Sequence, residues 1–294
     1  MPAEKRPAEK RAGAQVDTPG AAPLLEIQHV SYAYAPGAPV LHDVTFALAP
    51  GELLFLLGQN GSGKTTLLSC AGGVLRPTVG RVLLNGADIR AYAPAARARQ
   101  IGLVPQIHIP AFAYTAHEMV VMGRAPHLGL LGSPGRRDDE IADAALEAVG
   151  LAALRDRAYT ALSGGERQLV MIARGLAQQS RILLLDEPGA HLDPKNQHRV
   201  LEIVARLARD EGIAFIVASH APNDALLYAD RVLLLKGGRA LALGDTLDIL
   251  SDALLSAAYD IETEIIYAQS DEQNGDSRIP RAVVPRRTAR RRRR

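Results

Sequence analysis

The chain of 294 residues contains a single cysteine, Cys70. One cysteine excludes an intrachain disulfide and any multi-cysteine zinc site, and a reducing compartment fits best. No apolar run approaches the ~18 residues that a membrane span requires, so the chain is not expected to cross a bilayer. Residues Met1 to Gly20 are charged and lack an apolar stretch, so no secretory signal is expected there. No internal repeat is visible, and His108, His117, His127 and His191 show no close metal-ligand pattern. They are read as structural or surface groups, and Cys70 as a buried packing residue.

Acidic residues are absent from Ser277 to the C-terminus, where nine arginines gather. The whole chain has 34 Lys and Arg against 32 Asp and Glu; without those nine, the remainder carries a formal charge of −7. The basic character therefore belongs to a tail, and the folded body is not expected to bind nucleic acid. Composition divides the chain into a disordered arm over 1–22, an ordered domain over 23–270 and a disordered Arg-rich tail over 271–294.

Within the ordered stretch, short apolar runs alternate with amphipathic segments. Leu53 to Leu57, Ile182 to Leu185 and Ile213 to Val217 are brief and uncharged, as strands covered on both faces must be. Asp138 to Val149 and Gly164 to Gln179 carry apolar residues at helical spacing. That alternation predicts an α/β fold with a parallel sheet. Leu25 to Val30 and Val44 to Leu48 instead alternate with period two, predicting a small antiparallel sheet near the N-terminus.

Gly58-Gln59-Asn60-Gly61-Ser62-Gly63-Lys64-Thr65 matches G-x-x-x-x-G-K-[ST] between a predicted strand and a predicted helix. Its glycines let backbone N–H groups surround a phosphate chain. Lys64 is expected to reach the β- and γ-phosphates, and the Thr65 hydroxyl to ligate Mg²⁺; Thr66 follows directly. Asp186 and Glu187 end the apolar run at Ile182, at the sheet edge where ligands bind in such folds. Asp186 is expected to hold Mg²⁺ through water, and Glu187 to polarise the attacking water. Ser163 and Glu166 form a capping box, and Gly164 and Gly165 open the helix start to a phosphate.

With Leu162-Ser163-Gly164-Gly165-Glu166 the chain resembles the ATP-binding-cassette (ABC) ATPases, whose signature segment is LSGGQ or LSGGE. The resemblance covers roughly Leu24 to Leu250. It implies a phosphate-loop fold with a RecA-like parallel core, an antiparallel β subdomain and a helical subdomain over about 107–175. Gln106 matches the glutamine that contacts Mg²⁺ and moves with the transporter partner. Asp193 matches the D-loop aspartate, and His220 the switch histidine at the γ-phosphate. An aromatic residue stacks on adenine in this family; Tyr34 is the assigned residue and Tyr32 its rival. Gly189 stands where Thr or Ser is usual and implies a more flexible approach to the D-loop.

Only 56 residues lie between Gln106 and Ser163, too few for a long coiled coil, and there is one cassette with no span. A separate transporter ATPase is the reading that remains. Glu118-Met119-Val120-Val121-Met122-Gly123-Arg124-Ala125-Pro126-His127, with Ser219-His220-Ala221-Pro222-Asn223, resembles importer ATPases for iron-siderophores, haem, vitamin B12 and molybdate. The resemblance implies ATP and Mg²⁺ as ligands and a head-to-tail homodimer in which Ser163 and Gly165 of one chain close on the other's γ-phosphate. It further implies a permease docked on the helical insert, with Arg124 at the contact. A solute-binding protein is an indirect partner, and the place of work is the cytoplasmic face of the membrane. An exporter ATPase, or a soluble regulatory or nucleic-acid-associated ATPase using the basic tail, is the alternative.

Overall fold

The computed structural model describes residues 22–106, 112–129, 132–268 and 279–286. The arm expected over 1–22 falls outside them but for residue 22, as do His108 and residues 287–294. In chain order the strands are Leu25–Ala35 (β1), Ala38–Leu48 (β2), Leu53–Leu57 (β3), Val79–Leu84 (β4), Ala87–Asp88 (β5), Ile101–Val104 (β6), Ile182–Asp186 (β7), Ala214–Ser219 (β8), Arg231–Lys236 (β9), Arg239–Asp245 (β10), Thr263–Ala268 (β11) and Ile279–Pro285 (β12). The helices are Lys64–Ala71 (α1), Pro94–Ala98 (α2), Ala116–Val121 (α3), Arg136–Ala148 (α4), Gly164–Ala177 (α5), Pro194–Glu211 (α6), Pro222–Tyr228 (α7), Thr246–Ile249 (α8) and Asp252–Tyr259 (α9).

The central sheet runs β10-β9-β3-β8-β7-β6, parallel throughout except for β10 against β9. Successive residues of β3 face opposite sides. Phe55 and Leu57 join a core with Leu183, Phe215, Val217 and the helices α3 to α6. Leu54 and Leu56 join a second core with Leu67, Leu68 and Cys70 of α1 and with the N-terminal sheet. A strand buried on both faces has no polar position, which is why the expected runs carry no alternation. The predicted strand at Ile213 begins one residue later and extends to Ser219.

The N-terminal sheet has the order β2-β1-β4-β5, with Leu25 opposite Leu48 and Ile27 opposite Phe46. Its inward residues, among them Leu25, Ile27, Val44 and Leu48, are fully buried. The helices expected within about 107–175 are α3, α4 and most of α5, packed against one another.

The tail departs from expectation. Order was to end near residue 270, yet β12 pairs antiparallel with β11, Ile265 opposite Val283. Those two side chains are buried in the larger core. A run of Ala282-Val283-Val284-Pro285 inside an arginine-rich stretch has enough apolar surface to pair, and averaging composition over 271–294 hides it.

Candidate functional site

The carboxyl ends of β3, β7 and β8 lie side by side, Leu57 beside Ser219 and Asp186 beside Ala218. The phosphate loop, the Asp186–Glu187 pair and His220 therefore emerge at one sheet edge. Gly58 has no room for a side chain: a Cβ there would stand 2.3 Å from the Leu235 carbonyl oxygen. Gly63 caps α1 in the left-handed region at φ 103°. That turn lets the loop's amides run into the helix N-terminus, which favours anions.

Lys64 is 5% exposed, and its ammonium donates to the carbonyls of Gly58 at 2.8 Å and Gln59 at 3.1 Å. It faces Glu187 Oε1 at 3.5 Å. Glu187 is also within reach of the Gln106 amide, whose Nε2 donates to Oε2 at 3.4 Å, and of His220 Nδ1 at 3.3 Å from the same oxygen. One carboxylate thus gathers the loop lysine, Gln106 and His220. Its backbone sits at φ 48°, a conformation that costs a non-glycine residue roughly 1–3 kcal/mol and that here aims the side chain into the cleft.

A cleft of about 320 Å³ follows the phosphate loop, lined by Asn60, Gly61, Gly63, Lys64, Thr65, Thr66, Gln106 and Glu187. A second, of about 520 Å³, shares Asn60, Gln106 and Glu187 with it and continues past Gly189, His191 and His220 to Asp224. Asp186 is buried, and burial pushes its carboxyl above the usual range against a hydrogen bond from the Thr65 side chain. Its Oδ1 and the Ser62 hydroxyl are buried and find no hydrogen-bond partner among the described residues. Orphaned buried oxygens are costly unless a ligand meets them. The donors here, a hydroxyl, a carboxylate and an amide oxygen, are hard oxygen ligands of the kind Mg²⁺ prefers, so the residues fit that ion.

The signature segment stands elsewhere. Ser163 caps α5, its hydroxyl accepting from Glu166 N–H at 3.3 Å while Glu166 accepts from Ser163 N–H at 2.7 Å. The backbone hydrogen bond from Ser163 holds the Glu166 carboxyl below its ordinary range. Ser163 and Gly164 are exposed, and Ser163, Gly164 and Gly165 line neither cleft. Gly165 also has a packing reason to be glycine, since a Cβ there would stand 2.9 Å from the Asn196 side chain. Asp193 caps α6, and hydrogen bonds from Asn196 hold its carboxyl low.

Two expectations change. Gly189 is no slack point, because a Cβ there would meet Gln197 Cγ at 2.8 Å; the glycine makes room for that side chain. Arg124 is 5% exposed, so it is not a contact for a partner. Its guanidinium donates to Asp138 at 2.9 Å, to the Ala177 carbonyl at 2.7 Å and to Gln179 at 2.9 Å, joining α4 to the end of α5. The exposed side of the same segment is an apolar groove of about 290 Å³ along Val121, Met122, Ala125 and Leu128. Tyr34 and Tyr32 meet edge to face at 4.9 Å; Tyr34 is 63% exposed with its hydroxyl 3.2 Å from Thr66 Oγ1, whereas Tyr32 packs partly buried on the core.

Sequence reading missed Gln197 and Asp224. Gln197 Nε2 donates to both Asp224 oxygens, at 2.9 and 2.7 Å, at the far wall of the second cleft. Burial raises the Asp224 carboxyl. Only the sequence nearness of Asp224 to His220 could have hinted at it.

A phosphate loop, a buried aspartate and a glutamate at one parallel-sheet edge define a nucleoside-triphosphate-binding ATPase. The chain belongs to the ABC transporter family, whose model matches residues 41–190. It is 45% identical over 228 residues to the hemin import ATP-binding protein of Pseudomonas putida, covering 76% of this chain and 88% of that one. The cobalamin import ATP-binding protein of Halobacterium salinarum is 39% identical over 229 residues, 78% of this chain and 57% of that one. Among solved structures, an inward-facing metal-chelate type ABC transporter superposes with a TM-score of 0.79 at 32% identity, over 90% of this chain and 98% of that one. The chain is thus the ATP-binding, ATP-hydrolysing cassette of an ABC transporter. No helix among the described residues is long and apolar enough to cross a membrane.

Proposed function

We propose that the chain drives import of a metal chelate, hemin before cobalamin or a ferric siderophore, through a separate permease. The observation that carries this reading is the 45% identity with a hemin import ATP-binding protein along most of both chains. A chelate-loaded binding protein would deliver the solute, and the cassette would work at the cytoplasmic membrane face. The apolar groove beside Val121 and Met122 would receive a permease helix.

The ATP site is completed by a second copy. Lys64 neutralises charge on the β- and γ-phosphates, and the loop amides hold them. Tyr34, the exposed ring of its pair, stacks on adenine. Thr65, Gln106 and, through water, Asp186 would hold Mg²⁺, which when bound would supply positive charge to the phosphates. Glu187 accepts the proton of the attacking water, and His220 contacts the γ-phosphate. Ser163 and Gly165 of the second chain close on that phosphate, with Asp193 at the junction; the exposure of Ser163 and Gly164, away from the clefts of their own chain, supports this arrangement. Hydrolysis is then positioning and charge stabilisation around an in-line water.

The test is ATP hydrolysis by the chain with its permease in proteoliposomes, with the binding protein presented empty or loaded with hemin, cobalamin or a ferric siderophore. Stimulation by hemin alone is expected. Stimulation by cobalamin or the siderophore instead overturns the choice of solute, and stimulation by none overturns chelate import.

A further inference from the structure

We propose that α9, β11 and β12 together brace the two loops that meet the nucleotide, and that Asn223 is a positioning residue acting through His220. Asn223, the second residue of α7, grips one residue of β12 from both sides. Its Oδ1 accepts from Val283 N–H at 2.7 Å, and its Nδ2 donates to the Val283 carbonyl at 3.2 Å. A side-chain amide offers the same donor and acceptor pair as a peptide, so Asn223 stands in for a neighbouring strand. Val283 is buried against the main core with Ile265 of β11, so what Asn223 holds is itself fixed.

The same segment reaches the phosphate loop. Gln59 Nε2 donates to the Ala258 carbonyl at 3.3 Å and to Asp260 Oδ2 at 3.1 Å. Asp260 ends α9 and is held by Lys236 at 2.6 Å. From there the chain enters β11, tied back to α9 by Ile265 N–H donating to Asp252 at 2.8 Å and by Thr263 N–H donating to Ser256 at 2.9 Å. Gln59 and Asn223, far apart in sequence, are thus held by α9 and by β12, and the pairing of β11 with β12 joins the two.

His220 needs such support. Its side chain is 53% exposed, and among the described residues its one hydrogen-bond-range contact is Glu187 at 3.3 Å. It lies between the end of β8 and the start of α7, so its direction follows from where α7 begins. Asp224 pins that first turn to Gln197 of α6, and Asn223 pins it to β12.

This inference rests on the reading that His220 contacts the γ-phosphate. The test is steady-state ATP turnover by the full chain carrying Asn223→Ala, Asn223→Asp, Val283→Pro, His220→Ala and pairwise combinations. Val283→Pro deletes the N–H that donates to Asn223 without removing the tail. Asn223→Ala is expected to lower kcat on the order of tenfold, as misplacement of a catalytic group does, with the KM for ATP within about twofold. Asn223→Asp, which still accepts from Val283 N–H, is expected to recover part of the loss. Adding Asn223→Ala to Val283→Pro or to His220→Ala should change nothing further, because each pair acts along one path. Wild-type kcat in Asn223→Ala beside an inactive His220→Ala overturns the brace alone, as does an additive double variant. Wild-type kcat in His220→Ala overturns the reading of His220 itself.

Discussion

Glu187→Gln separates binding from chemistry. The side chain is 14% exposed and sits 3.5 Å from Lys64, 3.4 Å from the Gln106 amide and 3.3 Å from His220. Glutamine has the same length and tolerates the backbone at φ 48° no worse than glutamate, so the loop should keep its shape. What is lost is a carboxylate able to take a proton. Removing a general base costs on the order of 10²–10⁴ in rate, or about 2.7–5.5 kcal/mol of barrier. Nucleotide binding should survive or tighten, since one negative charge disappears beside the phosphates while Lys64 and the loop amides remain. The variant is therefore expected to accumulate as an ATP-bound dimer, read by phosphate release and by size-exclusion chromatography with ATP and Mg²⁺. Lys64→Ala should instead lose nucleotide and dimer together. Adding Ser163→Arg to Glu187→Gln should abolish the dimer, because the exposed signature segment then carries a bulky cation where the opposing phosphate must fit. Wild-type hydrolysis by Glu187→Gln refutes the general-base role, and a dimer that persists with Ser163→Arg refutes the shared site.

Arg124→Ala should destabilise the helical region by about 2–3 kcal/mol, since the buried Ala177 carbonyl and Gln179 lose a charged donor; urea unfolding measures it, and an unchanged midpoint sinks the clasp. Burial raises the Cys70 thiol to about 11, so alkylation of the native chain should be far slower than that of the unfolded chain at pH 8. The sign is that of a raised acid: the thiol's contribution to stability is intact below its ordinary value near 9 and erodes as pH rises through 11. Equal native and unfolded labelling rates would contradict the burial. Removing residues 287–294, beyond β12, should leave ATP turnover unchanged in a folded chain; a collapse of activity would give those arginines a role in hydrolysis.

What the sequence makes legible is what is decided locally. A fully apolar run of five residues states its own burial, so β3 and β7 were visible with boundaries within one residue. The phosphate loop and the Asp186–Glu187 pair were visible because their chemistry needs fixed residue types at fixed spacing beside a strand. The capping box at Ser163 was visible for the same reason. Residues whose role is set across the fold were not. Arg124 lies in a segment that suggests a docking surface, and only the arrival of Asp138 and the end of α5 turns it inward. Gly189 suggests slack until Gln197, eight residues on, is found in the space a side chain would take.

The tail shows the same division at work within a few residues. Charge counted over 271–294 is a property of the whole stretch, and by that measure nothing there should pack. A strand needs only alternate residues to face inward, and Val283 does so, 7% exposed and set opposite Ile265. Neither valine nor isoleucine alone specifies that pairing: β11 and β12 are separated by residues of no apolar pattern, and a two-stranded ribbon is marginal by itself. The additional fixing point is Asn223, whose amide caps the Val283 peptide from α7. Because Asn223 also stands three residues past His220, the interactions that order the ribbon are the ones that set the start of α7. On the proposal that Asn223 positions His220, order in this part of the tail and the direction of His220 follow from the same two hydrogen bonds, which no count of arginines could disclose.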